Sequence, residues 1–194
     1  MRFSKYWLLV SVVLLVSATS SRAVEKPVEL KLGDPAPMFA GIDDRGEKWD
    51  SQSVAGKKIL VVYFFPADMT PGCTKQACGY RDALAKLADK DVEVIGVSGD
   101  AVENHQHFKR AYQLNFTLLA DHEGKIARAF GVKTSPGGAI QRLIQGQELT
   151  LERGVTAQRW TFVIDKHWRI AHKDTKVNAA EDSARVLRLV ENLK

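Results

Sequence analysis

Ile59-Leu60-Val61-Val62-Tyr63-Phe64-Phe65 is a continuous apolar run of strand length, and Pro66 ends it. A strand that is apolar on both faces must be covered on both, which makes it a central strand of a sheet flanked by helices. The next seven residues, Pro66-Ala67-Asp68-Met69-Thr70-Pro71-Gly72, carry turn chemistry, and a helical pattern then opens near Cys73. Pro71 presets φ for the approach to a helix, and Gly72 lets the backbone come close to whatever meets Cys73. Both cysteines of the chain, Cys73 and Cys78, lie in this helix.

Around that strand the pattern alternates. Ala77, Tyr80, Leu84, Leu87 and Ala88 form one helical stripe, and Val92 to Val97 reads as another buried strand. Ala101 to Tyr112 predicts a helix, Phe116 to Leu119 a short strand and Glu123 to Phe130 a further helix. Strand, helix, strand, helix, strand is the order of an α/β fold with crossover units. On the N-terminal side, two prolines in Pro35-Ala36-Pro37 favour an extended edge, and Asp43-Asp44-Arg45-Gly46 predicts a hairpin turn. Lys133 to Gln158 reads as a polar, glutamine-rich connection, Trp160 to Ile164 and Arg169 to His172 as a closing hairpin. Ala180, Ala184, Leu187, Val190 and Leu193 give a last helix one apolar face.

A cysteine in the first turn of a helix has unpaired backbone N–H groups and the positive end of the helix dipole beside it. Both favour thiolate, so Cys73 is the candidate nucleophile. Thr70, three residues earlier, can place a hydroxyl beside the sulfur. On an intact helix a five-residue spacing puts two Cα atoms at roughly 8 to 9 Å, beyond the ~7 Å a disulfide can bridge. Two cysteines in an exported chain would by themselves suggest a structural disulfide. This spacing suits a redox pair that unwinds the helix start when it closes.

The combination Pro66-x-x-x-Thr70-x-x-Cys73 resembles the active-site motif of the peroxiredoxins. Cys78 resembles the resolving cysteine of their bacterioferritin comigratory protein (PrxQ) subfamily. The likeness runs from about Lys31 to the C-terminus, through Gly33-Asp34-Pro35-Ala36-Pro37-Met38-Phe39, Gly96-Val97-Ser98-Gly99-Asp100, Phe116 to Asp121 and Arg159 to Asp165. It implies an α/β thioredoxin fold, with a central mixed β-sheet flanked by helices and an N-terminal β-hairpin extension. It also implies that Cys73 attacks a hydroperoxide and becomes sulfenic acid, and that Cys78 resolves it as an intramolecular disulfide. In that scheme Thr70 and the Cys73 N–H hold the peroxide, Arg159 supplies a fixed positive charge, and Pro66 shields the sulfur. The implied partners are a hydroperoxide and a thioredoxin-like dithiol reductant, with no metal or organic cofactor and the protein acting as a monomer. Two departures stand out: Lys166-His167-Trp168 occupies the turn where the family often has Asp-Gly, and the Lys133–Gln158 connection is long.

Charge excludes little. The chain of 194 residues has 28 Lys+Arg against 23 Asp+Glu, but Arg2, Lys5 and Arg22 fall in the first 23 residues, which hold no acid. The remainder is 25 against 23, with no basic stripe to recommend nucleic acid. Met1 to Ala23 has a basic start, an apolar run Tyr6 to Ala18 and small residues around Arg22, which predicts a signal peptide over 1–23. A polar tether over 24–30 and one domain over 31–194 complete that division, exported to a bacterial periplasm and without stable membrane association after cleavage. Two other exported functions suit a thioredoxin fold: copper delivery of the Sco type, using both cysteines with His167 or His172, and protein thiol–disulfide exchange. The first normally has C-x3-C and the second C-x-x-C, whereas this chain has C-x4-C. His105 and His107 alternate on their helix, which predicts a solvated face, and Trp49, Trp160 and Trp168 are expected in core or rim packing.

Overall fold

The computed structural model describes residues 28–144 and 146–193. The expected signal peptide and the start of the tether lie outside them. The strands are β1 (Ala40–Asp43), β2 (Lys48–Asp50), β3 (Ile59–Phe64), β4 (Val92–Ser98), β5 (Thr117–Ala120), β6 (Thr134–Ile144), β7 (Gln147–Ala157), β8 (Trp160–Ile164) and β9 (Ile170–Asp174). The helices are α1 (Pro71–Ala88), α2 (Val102–Tyr112), α3 (Lys125–Ala129) and α4 (Asp182–Val190). Seven strands form one mixed sheet in the order β2-β1-β5-β4-β3-β8-β9, and β6 pairs with β7 apart from it.

The central place of β3 follows from its sequence. All six of its residues are buried, and they alternate between two cores. Ile59, Val61 and Tyr63 join the cluster under α1, α2 and α4, with Ala77, Tyr80, Phe108, Val186 and Val190. Leu60, Val62 and Phe64 join the opposite cluster with Phe39, Ile126 and Phe130. Each such side chain contributes about 1.5–3 kcal/mol when fully buried, so any exposed position for this run would forfeit most of the core. β4 runs parallel to β3, with Ile59 opposite Val92, and β8 runs antiparallel on the other side, with Phe64 opposite Trp160. That register brings the residue before Trp160 to the end of β3 from which the Pro66–Gly72 turn departs.

The predicted N-terminal hairpin is present as β1 and β2, with Ala40 opposite Asp50. Three expectations are corrected. Lys133–Gln158 is not a loose connection: β6 and β7 form a long antiparallel hairpin from the Thr134–Ala157 pair to the Ile144–Gln147 pair. The helix expected over Glu123–Phe130 is confined to Lys125–Ala129, because Gly124 is left-handed at φ 68° and the Asp121 carboxylate receives the N–H groups of Ile126 and Ala127. Of the apolar face expected on the last helix, Leu187, Val190 and Leu193 pack on the first core cluster, but Ala184, and Ala180 ahead of α4, are exposed, and Asp182 and Val186 are buried instead. Trp49, Trp160 and Trp168 are half-buried and pack against the second core cluster, as expected.

Candidate active site

Pro66 ends β3, half-buried, and the chain turns through three buried residues, Ala67, Asp68 and Met69, to Thr70. Met69 adopts φ 59°, a left-handed conformation that costs a residue with a Cβ roughly 1–2 kcal/mol. The surroundings hold it there. Asp68 donates its backbone N–H to Asp100 at 3.0 Å, and Arg142, from the β6–β7 hairpin, donates Nε–H to the Met69 carbonyl at 3.3 Å. Thr70 is the N-cap of α1 in an extended conformation, and Pro71 is the first helical residue. The Thr70 hydroxyl does not cap the helix; it donates to the Ala67 carbonyl at 3.0 Å. The first-turn N–H groups therefore remain without a side-chain partner at the end of the helix that favours negative charge.

Cys73 lies in that first turn, 1% exposed, and both cysteines are free thiols. Arg159, 86 residues away in sequence, donates from Nη2 to Cys73 Sγ at 3.2 Å. Of the residues singled out from sequence, these two are brought into direct contact. Thr70 and Pro66 belong to the same turn, with the Thr70 hydroxyl engaged to Ala67 rather than to the sulfur. Cys78 is half-buried on the same unbroken helix, so closing the pair requires the first turns of α1 to unwind.

The arginine is held by a network that sequence reasoning missed. Its Nη1 donates to Gln76 Oε1, and Gln76 Nε2 donates to Asp182 Oδ2 at 2.7 Å. The same carboxylate oxygen receives the Tyr80 hydroxyl at 2.7 Å and the Thr161 hydroxyl at 2.8 Å. Burial and then the Asp182 charge hold the Tyr80 phenol well above its usual 10, so it keeps its proton and donates. Gln76 and Tyr80 stand at i and i+4 on one face of α1. Between them Gly79 admits α4: a Cβ there would meet Ser183 Oγ at 2.8 Å. Gly72 likewise leaves room for the guanidinium, since a Cβ there would lie 3.3 Å from Arg159 Nη2. A polar residue and a glycine on the apolar stripe of α1 were the available signal.

A second buried cluster lies behind the turn. His105 is not on a solvated face: it is fully buried, and its Nδ1 meets Asp68 Oδ2 at 2.7 Å. Burial pushes the Asp68 carboxyl up to about 6 against the opposing pull of His105. Burial disfavours the charged imidazole, but Asp68, with Asp100 behind it, outweighs that and raises His105 above its usual 6.5. His172, half-buried on β9, is pushed below its usual value by burial. Among the described residues, no three His, Cys, Asp or Glu side chains group as a metal site would require.

Comparison with known proteins agrees with this geometry. The model of the AhpC/TSA family matches residues 32–173. The chain is 35% identical to peroxiredoxin Bcp of Bacillus subtilis over 164 residues, covering 84% of this chain and 97% of that protein. Among solved structures it is similar to peroxidoxin BcpB of Mycobacterium tuberculosis, at TM-score 0.71 and 26% identity, covering 86% of this chain and 99% of that one. It is also similar to a bacterioferritin comigratory protein of Xanthomonas campestris, at TM-score 0.66 and 25% identity, covering 84% and 96%, in a study of that protein's alkyl peroxide reduction activity. The matches favour neither the copper-delivery nor the protein-oxidoreductase reading. A thioredoxin-type sheet, a cysteine at a helix start beneath an arginine, and these relatives lead to one assignment: the chain belongs to the AhpC/TSA family, as a peroxiredoxin of the Bcp/peroxiredoxin Q type, an enzyme of the thiol peroxidase class.

Proposed function

We propose that the protein reduces hydrogen peroxide and organic hydroperoxides through Cys73, with Cys78 as the resolving thiol. The observation that carries this reading is the buried Cys73 Sγ in the first turn of α1, 3.2 Å from the Arg159 guanidinium. Arg159 and the helix start present positive charge beside the sulfur, and the same charges meet the negative charge that develops on the oxygens as the O–O bond breaks. The thiolate forms an S–O bond to one peroxide oxygen. The other oxygen leaves with the O–O electron pair, takes a proton, and departs as water or an alcohol. Because the Thr70 hydroxyl hydrogen is committed to Ala67, Thr70 meets the peroxide as an acceptor, receiving its O–H, while the Cys73 N–H donates. Pro66 borders the site and limits water.

The product is a Cys73 sulfenic acid. Cys78 thiolate then attacks its sulfur, the S–S bond forms, and the oxygen leaves as water. An external dithiol returns the pair to thiols by exchange. The redox change resides in sulfur throughout, so the scheme calls for no metal or organic cofactor. The basic and apolar start of the chain supports export, with a periplasmic thioredoxin-like dithiol as reductant. The test is a single peroxide equivalent given to reduced protein and followed by intact mass. The wild type should lose two hydrogens to a disulfide, whereas Cys78→Ser should gain one oxygen and stall. A Cys78→Ser protein that turns over with the dithiol like the wild type would remove Cys78 from the scheme.

A further inference from the structure

We infer that Asp182 is a positioning residue for the peroxidase reaction: through Gln76 it fixes the direction from which Arg159 meets Cys73. The inference rests on the peroxidatic role proposed for Cys73. Asp182 does not touch the sulfur. It is only 3% exposed at the start of α4, and in the sequence it looks like an ordinary acidic first-turn residue.

A carboxamide has a donor end and an acceptor end, and which end faces which partner is set by its neighbours. Gln76 lies between a cation and a carboxylate. Asp182 accepts only, so it claims the NH2 end, and the oxygen must then face Arg159. With one guanidinium nitrogen on that oxygen, the planar fork directs the neighbouring nitrogen at Cys73 Sγ. Turned the other way, Gln76 would present N–H to N–H and push the guanidinium off. Asp182 is itself fixed by the Tyr80 and Thr161 hydroxyls, from α1 and β8, so the reference point is shared by both elements that carry the site. Gly79 permits the approach of α4 that puts the carboxylate there.

The charge of Asp182 is not itself needed for this role, which calls only for an oxygen that accepts. Positioning and charge therefore give different results in two variants. Asp182→Asn can keep an oxygen toward the three donors and loses the charge. Asp182→Ala loses both and leaves Gln76 free to turn.

The experiment uses both variants in the full chain with Cys78→Ser, so that only Cys73 reports. It reads the rate of sulfenic acid formation with hydrogen peroxide and the ultraviolet thiolate absorbance at neutral pH. Losing one aligned charge-assisted hydrogen bond on the sulfur corresponds to about a tenfold fall in rate for Asp182→Ala. Asp182→Asn should stay within about threefold of the parent, since the hydrogen bonds persist. Arg185→Ala, which removes an ion pair to Asp174 from the same helix, should match the parent. If Asp182→Ala folds poorly, Gln76→Met cuts the chain at the next link and should slow the reaction equally. The inference is overturned if folded Asp182→Ala and Gln76→Met react at the parental rate. It is also overturned if Asn is as slow as Ala, which would make charge the cause. A parent that forms no sulfenic acid would instead sink the peroxidase reading itself.

Discussion

At the scale of single residues, Gly72 separates stability from activity. Alanine is the better helix former by about 1 kcal/mol, so Gly72→Ala should hold or raise the melting temperature. Its Cβ would stand 3.3 Å from Arg159 Nη2 and push the guanidinium by a few tenths of an ångström. The peroxide rate should fall by roughly tenfold, as small misplacements at a reacting centre do. A thermal melt and a peroxide assay on one preparation check both signs; a fall in both would point to misfolding rather than displacement. His105 gives a pH-dependent prediction. Its proton is held above the usual 6.5 in the folded protein, so its contribution is full below that value and is lost as pH rises through the higher folded-state value. Asp68, raised to about 6, adds a loss in the same direction between its usual 3.8 and that value. The gap in unfolding free energy between wild type and His105→Gln should therefore be larger at about pH 6 than at about pH 9. Equal gaps in urea titrations would refute it. Cys73 stood out in the sequence because a cysteine at a helix start is a local pattern, and the family likeness pointed to Arg159, which meets its sulfur; the Thr70 hydroxyl, expected beside the sulfur, is engaged to Ala67 instead. Gln76, Asp182, Asp68 and His105 did not stand out, because each looks like an ordinary polar helix or loop residue until packing supplies its partner.

At the scale of elements, the proposed cycle gives α1 two tasks that conflict. As an intact helix it places Cys73 in the first turn and Gln76 against Asp182; with Cys78 joined to Cys73 it cannot keep that turn. Gln76 lies between the two cysteines, so the proposed disulfide would also withdraw it from Arg159 and Asp182. Amide exchange should show this. Protection over about residues 73–78 should drop on oxidation while β3 and β4 stay protected, and unchanged exchange would mean that the disulfide closes some other way. The buried strands β3, β4 and β8 and the helices α1 and α2 were legible because their periods are clean. The β6–β7 hairpin was not. Ile140, Arg142 and Ile144 point inward at period two, as do Leu149 and Leu151, but exposed Leu143 breaks the alternation and Arg142 adds a charge to the inner face.

At the scale of the whole molecule, the site is assembled from both sides of the β6–β7 hairpin. Arg142 near its tip reaches the Met69 carbonyl, and β7 ends at Ala157, two residues before Arg159. The hairpin seats on Gly99, whose missing Cβ would come within 2.1 Å of the Val155 carbonyl oxygen, while Gly154 N–H donates to the Gly99 carbonyl at 3.0 Å. Gly99→Ala should therefore unseat the hairpin, costing about 1–3 kcal/mol, and slow peroxide reduction although no reacting group is changed. Full activity with lowered stability would show that the hairpin only decorates the sheet. The core layers were readable from sequence because they follow from apolar periodicity; this seat was not, since it depends on glycine meeting backbone far along the chain. The account turns on Cys73 beneath Arg159, and the most direct test is the second-order rate at which reduced protein consumes hydrogen peroxide at neutral pH. The rate should exceed that of free cysteine by ~100-fold or more and vanish in Cys73→Ser. A wild type no faster than free cysteine, or a Cys73→Ser protein as fast as the wild type, would contradict it.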